Sequence, residues 1–223
     1  MKYDFIIIGG GMSGLTCAYI LSKEGKQVIV LEKNTQLGGG LQIFSRDKTL
    51  FETGVHYVGG LDEGQPLNQL FKYLGLMDKI NIKKMDEEGF DKVHFGKEDK
   101  YYSIGQGYKN FKSNLFQDFP HQKKGINKYC QRIQDLCKDF PLYNLKDQEN
   151  YPISNEETES VDEVIESLIS DKRLQKILAS QNILYAGERK KTPFYVHALI
   201  VNSYIDSAWR FVNGSSQVAR FLA

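Results

Sequence analysis

An α/β fold is the expectation from three observations. The run YDFIIIGG is short, Ile-rich and without polar alternation, as in a parallel strand covered on both faces. Glycines at positions 9, 11 and 14 follow it, in G-x-G-x-x-G spacing. A second apolar run, QVIVLEK, ends on the lone acid Glu32. Strand, tight turn, helix and strand in so short a span are the start of a Rossmann-like unit.

Each element has a physical reason. Gly9 permits the sharp turn out of the first strand, and Gly11 leaves room for a pyrophosphate to approach bare backbone. Met12 and Ser13 open the helix, whose free N–H groups and dipole favour phosphate oxygens. Gly14 lets the helix pack closely on the sheet. The helix is expected from Met12 to Lys23, with Leu15, Ala18, Tyr19 and Leu21 facing inward and Gly25 at its C-terminal end. Glu32, followed by Lys33, stands at the carboxyl end of the second strand, where it can accept hydrogen bonds from ribose hydroxyls. A carboxylate there repels a 2′-phosphate, so the site should reject NADP. A glycine-rich turn that binds nothing is the competing reading, and the agreement of strand, helix and acid weighs against it.

Composition sets outer limits. The chain has 223 residues, of which 41% are hydrophobic, and a net charge of +1. That suits a globular protein with a real core and argues against nucleic-acid binding driven by bulk charge. No apolar run reaches the roughly 20 residues that span a bilayer. Cys17, Cys130 and Cys137 are odd in number and far apart, so neither a disulfide framework nor a C-x-x-C metal pair is indicated. Cys17 is expected to be a small buried residue, and a reducing cytoplasm is the default compartment.

A second glycine cluster, Gly38, Gly39 and Gly40 in NTQLGGG, follows Glu32 closely. It implies another place where backbone approaches something closely, a flexible turn being the alternative. LQIF and TLFE flank the polar turn SRDK and read as a hairpin, after which comes FETGVHYVGG. The N-terminal fingerprint, LGGG and FETGVHYVG together resemble the retinol saturase, carotenoid isomerase and phytoene desaturase group of FAD-dependent oxidoreductases. The resemblance is dense over residues 1–60 and faint beyond, returning only in FVNGSSQVARFLA. It implies FAD lying along Gly9, Gly11, Met12, Ser13, Gly14, Glu32, Lys33, Gly38, Gly39 and Gly40, with the flavin carrying the redox chemistry. It also implies an apolar small-molecule substrate, with peripheral membrane contact following from that substrate class. Amine oxidase relatives often have Arg after the GG pair, where this chain has Gly40. That favours the polyene branch. His56, in the segment that passes near the flavin in such proteins, is the weak catalytic candidate. Glu52 is read as a hydrogen-bond acceptor at the hairpin end.

Farther along, PLNQLFKYLGL reads as an amphipathic helix from Pro66. KINIKKM, FDKVHFG and YYSI alternate like half-buried strands of one substrate-domain sheet. Helical periodicity runs from Tyr108 to Phe140, with Cys130 and Cys137 on one face. A polar stretch around Pro152 reads as a loop. Ser160 and Glu163 then form a capping-box pattern. The run from 193 to 211 reads as one apolar helix, with His197 as a core histidine, and ERKK at 188–191 as a solvated turn.

The expected organisation is residues 1–65 as the first part of the FAD domain, 66–210 as an inserted α+β substrate domain, and 211–223 as a return to the FAD domain. Two parallel strands do not make a stable doubly wound layer. The chain is therefore expected to be the N-terminal part of a longer enzyme, or a truncated relative. The leading function is FAD-dependent desaturation, saturation or isomerisation at C–C bonds of a polyene-like substrate. A non-catalytic remnant that pairs with another chain, and an amine oxidase-like or NAD-dependent enzyme, are the alternatives.

Overall fold

The computed structural model describes residues 2–141, 143–147 and 158–223, so part of the polar stretch around Pro152 lies outside the described residues. The chain divides into two compact units, residues 1–84 with 209–223 and residues 85–208. Residues 66–84 thus belong to the unit that carries the glycine turn.

In the first unit, β1 (Phe5–Ile8) and β2 (Val28–Leu31) pair in parallel, Phe5 opposite Val28 and Ile8 opposite Leu31. Between them runs α1 (Met12–Lys23), ended by Gly25 at φ +77. That left-handed conformation is one that only glycine adopts without strain. The hairpin β3 (Ile43–Arg46) and β4 (Thr49–Glu52) turns on Asp47 and Lys48, both at positive φ. Two left-handed residues in a two-residue loop match the twist of the strands. After β5 (Val58–Gly59), α2 (Pro66–Tyr73) begins with proline in its first turn, where no N–H is needed.

Leu15, Leu41, Leu61, Phe71, Leu74 and Val218 belong to the buried core of this unit. β1 does not. Ile6 is 66% exposed and Ile8 88%, so the strand is apolar but not covered on both faces as its composition suggests. α1 packs against this two-stranded pair. Cys17 is likewise exposed rather than buried, because the inward face of α1 is set by Leu15, and a position two residues along the chain lies nearly on the opposite side of the helix.

The expected substrate-domain sheet does not form as one sheet. β6 (Ile82–Lys84) pairs antiparallel with β9 (Ala208–Phe211), with β5 on the other side of β9. β7 (Asp91–His94) and β8 (Tyr101–Ile104) make a separate hairpin in the second unit. The same pairing corrects the reading of 193–211 as one helix. The helix stops at Asp206, Ser207 is extended, and the following residues pair with β5 and β6 instead of continuing the helix.

The rest of the second unit is helical: α3 (Gly107–Asp118), α4 (Lys123–Asp139), α5 (Val161–Leu168), α6 (Lys172–Ala179) and α7 (Phe194–Asp206). Pro120 separates α3 from α4. Ser160 and Glu163 cap α5 reciprocally, and the Asp171 carboxylate accepts from the Arg173 and Leu174 amides to cap α6. Those bonds, Leu174 foremost, hold the Asp171 carboxyl below its usual range. The last helix, α8 (Ser216–Leu222), returns to the first unit.

Candidate functional site

The site is built around the turn between β1 and α1. Gly9 has φ +103, closed to residues with a side chain except at a strain cost. A Cβ on Gly14 would lie 2.1 Å from the Gly9 carbonyl oxygen, so α1 rests directly on the turn and no other residue fits there. A Cβ on Gly9 or Gly11 would meet nothing within 4 Å. The outer side of the turn is therefore open space bordered by main chain. No side chain caps the first turn of α1, which leaves its N–H groups for a ligand.

Glu32 closes the other side. Its Oε2 accepts from the Gly10 amide at 2.8 Å and its Oε1 from the Asn34 amide at 2.8 Å. These bonds, that from Asn34 first and that from Gly10 second, hold the carboxyl below the usual carboxylate range. It is thus an anion at neutral pH, and each oxygen keeps a further lone pair for a hydroxyl donor. Gly10 is the residue that sequence reasoning passed over, since the fingerprint leaves its place unspecified. A Cβ there would fall 2.6 Å from Leu37 Cδ2. The signal was present in the middle glycine of GGG.

The second glycine cluster answers first to the protein's own backbone. Gly38 is buried, at φ +109, and its N–H donates to the Gly10 carbonyl at 2.7 Å. A Cβ on Gly39, at φ +56, would lie 3.3 Å from Gly11 Cα. Gly40 is exposed, and a Cβ on it would meet nothing within 4 Å. So Gly38 and Gly39 bring the second loop against the first, and Gly40 borders open space. Ser13 and Lys33 are exposed and Met12 is half-buried. His56 is exposed in the loop between β4 and β5.

Bare backbone, an uncapped helix start, a pinned carboxylate and a second glycine loop fit an adenine dinucleotide. Residues 7–74 match the model of an NAD(P)-binding Rossmann-like domain. All-trans-retinol 13,14-reductase of Macaca fascicularis is 29% identical over 98% of this chain and 38% of its own length. Prolycopene isomerase 1, chloroplastic, of an Oncidium hybrid cultivar is 31% identical over 66% of this chain and 25% of its own length. The chain is thus similar in sequence to retinol reductases and prolycopene isomerases. It spans about two fifths of the length of the retinol reductases it matches. Among solved structures, a putrescine oxidase redesigned in its cofactor binding superposes with a TM-score of 0.67 at 18% identity, over 100% of this chain and 49% of that one. A fatty acid isomerase from P. acnes superposes with a TM-score of 0.60 at 15% identity, over 99% of this chain and 49% of that one. These likenesses give the fold, an α/β Rossmann-like one.

The second unit holds a different polar feature. His197 is fully buried in α7, 2.7 Å from Tyr129 Oη through Nε2 and 2.7 Å from Tyr185 Oη through Nδ1. Tyr185 also donates to Asn182 Oδ1. One proton assignment satisfies all three bonds: Nδ1–H donates to Tyr185, and Nε2 accepts from Tyr129. Burial pushes the imidazole down to about 3, so it is neutral. This is the expected core histidine. Cys130 and Cys137 are both buried, and burial pushes each thiol up to about 12, which leaves neither as a nucleophile. Among the described residues, no three His, Cys, Asp or Glu groups are placed to hold a metal, and no helix is long and apolar enough to cross a membrane.

Proposed function

We propose that the chain forms the FAD-binding part of an oxidoreductase acting on C–C bonds of an apolar, polyene-like substrate. The observation that carries this reading is the junction of the two glycine loops at Gly10, Gly11 and Gly38, with the Glu32 carboxylate fixed beside it. Gly9, Gly11, Met12, Ser13 and Gly14 would hold the diphosphate by main-chain N–H groups. Glu32, with Lys33 beyond it, would grip the ribose hydroxyls, and its charge would turn away a 2′-phosphate. Gly38, Gly39 and Gly40 would leave room along the dinucleotide. When bound, the flavin supplies the hydride or hydrogen exchange with the substrate C–C bond. The second unit, residues 85–208, is the proposed substrate-side region. The named retinol reductases and prolycopene isomerases support a polyene substrate class. Peripheral membrane contact is proposed with that class, because such substrates reside in bilayers.

A second reading has its own support. An inactive all-trans-retinol 13,14-reductase of Danio rerio is 34% identical over 61% of this chain. On this second reading the chain would bind the dinucleotide without turnover, and that relative's name supports only the lack of activity.

One experiment separates the readings. The purified protein is titrated with FAD, and the loaded form is then mixed with all-trans-retinol under reducing conditions and its products chromatographed. FAD uptake that weakens at least roughly tenfold in Glu32→Ala supports the cofactor assignment. A saturated or isomerised product supports the oxidoreductase reading, and uptake without product supports the second. An affinity that Glu32→Ala leaves unchanged contradicts the role given to that acid.

A further inference from the structure

The three segments that meet at the glycine loops come from remote parts of the sequence, and one pair of side chains joins them. Glu52, at the end of β4, accepts from the Ser215 amide at 2.9 Å through Oε1, and its Oε2 accepts from the Ser215 hydroxyl. The same hydroxyl oxygen lies 3.2 Å from the Leu41 carbonyl oxygen, one residue beyond the second glycine cluster. Ser215 is fully buried. Gly214, at φ +96, presses on Ile43, since a Cβ there would fall 2.9 Å from Ile43 Cγ2. The helix that follows rests on the cluster itself: a Cβ on Gly38 would lie 3.1 Å from Ala219 Cβ. From the other side, Val55 N–H donates to Gly40 O at 3.2 Å and Thr53 N–H to Gln42 O at 3.1 Å.

Segment 38–42 is therefore held from three directions, by the turn at 9–11, by 52–55 and by 214–219. The Glu52–Ser215 pair ties the second of these to the third across 163 positions. A charge-assisted bond to a fully buried hydroxyl is stronger and more directional than a neutral one. We propose that Glu52 and Ser215 form a clasp that positions Gly38–Gly40 against the phosphate-binding turn, which makes Glu52 a positioning residue for the dinucleotide. This inference rests on the cofactor assignment above only in its binding arm. The clasp itself is a statement about the polypeptide.

The test uses Glu52→Gln, Ser215→Ala and the double variant in the full chain, with Lys124→Ala on the exposed face of the second unit as control. Two quantities are read: amide hydrogen exchange over residues 38–42 in the absence of FAD, and the FAD dissociation constant. The clasp predicts faster exchange at 38–42 in each single variant, with no change in the amides of the α3–α7 region. It predicts FAD binding weakened roughly tenfold in each, and a double variant no worse than about the weaker single, because the two side chains act as one unit. Exchange at 38–42 unchanged from wild type overturns the clasp. So does weakened FAD binding that follows global unfolding in both units alike, because then the pair only stabilises the fold. If wild type takes up no FAD, the cofactor assignment falls, and the exchange data alone decide the clasp.

Discussion

The glycine-loop region of the first unit and the core of the second are ordered by different means. In the second, Tyr129, Ile133 and Phe194 are sealed from solvent, and even the polar His197 is buried with a partner on each ring nitrogen. In the first, β1 shows Ile6 and Ile8 to solvent at 66% and 88% exposure, and the order of the site comes from backbone. Positive φ at Gly9, Gly38 and Gly39, close approach at Gly14 and Gly10, and the Glu32 and Glu52 carboxylates set it. The second unit is held by packing of side chains; in the first, a packed core lies beside a site whose order comes from main chain. A region that must present bare N–H groups to a ligand has little side-chain volume to pack with, so glycine geometry and charged hydrogen bonds take over that task.

The comparison breaks first at its core end. Phe194→Ala should destabilise the second unit by about 3–5 kcal/mol, through lost transfer energy and the cavity left behind, and denaturant unfolding would show it. Gly14→Ala should cost about 1–3 kcal/mol in the first unit. Its Cβ meets backbone rather than a flexible side chain, so FAD binding should fall with it, measurable by flavin fluorescence. Next comes pH. His197 is lowered to about 3 in the fold, so the unfolded chain binds its proton more tightly. Its neutral state therefore supports stability fully above about pH 6.5, and that support is lost as pH falls from 6.5 towards 3, with a limiting slope of about 1.4 kcal/mol per pH unit for one proton. His197→Gln, followed by urea midpoints between pH 7 and 5, should show a flatter profile than wild type. Smallest of all, Ile8→Ser should shift stability by less than about 0.5 kcal/mol, despite removing an isoleucine from a strand. A large loss there would mean that β1 is covered, against the exposure seen.

Local chemistry was legible in the sequence and long-range pairing was not. The span Met12–Lys23 of α1, the hairpin around Asp47 and Lys48, and the Ser160–Glu163 cap all follow from residues within a few positions of one another. So does Glu52 as a hairpin-end acceptor, although its partner, Ser215, could not be read from spacing. The strand at 208–211 was hidden because its apolar residues continue the pattern of the helix before it, and only pairing with Ile82–Lys84 makes it a strand. The burial of β1 was over-read because an Ile-rich run reports what a strand could bury, not what lies against it. In the candidate site, glycines named by the fingerprint were visible, while Gly10 needed the structure to show that Leu37 and Glu32 crowd it.

The central claim is that main chain at Gly9–Gly14 and the Glu32 carboxylate together hold an adenine dinucleotide of the flavin kind. Equilibrium titration of the purified chain with FAD, NADH and NADPH in parallel tests it most directly. Saturable one-to-one binding of FAD, with NADPH the weakest of the three, is the predicted result. Binding of NADPH as tight as that of FAD, or no FAD binding by a folded chain, would contradict it.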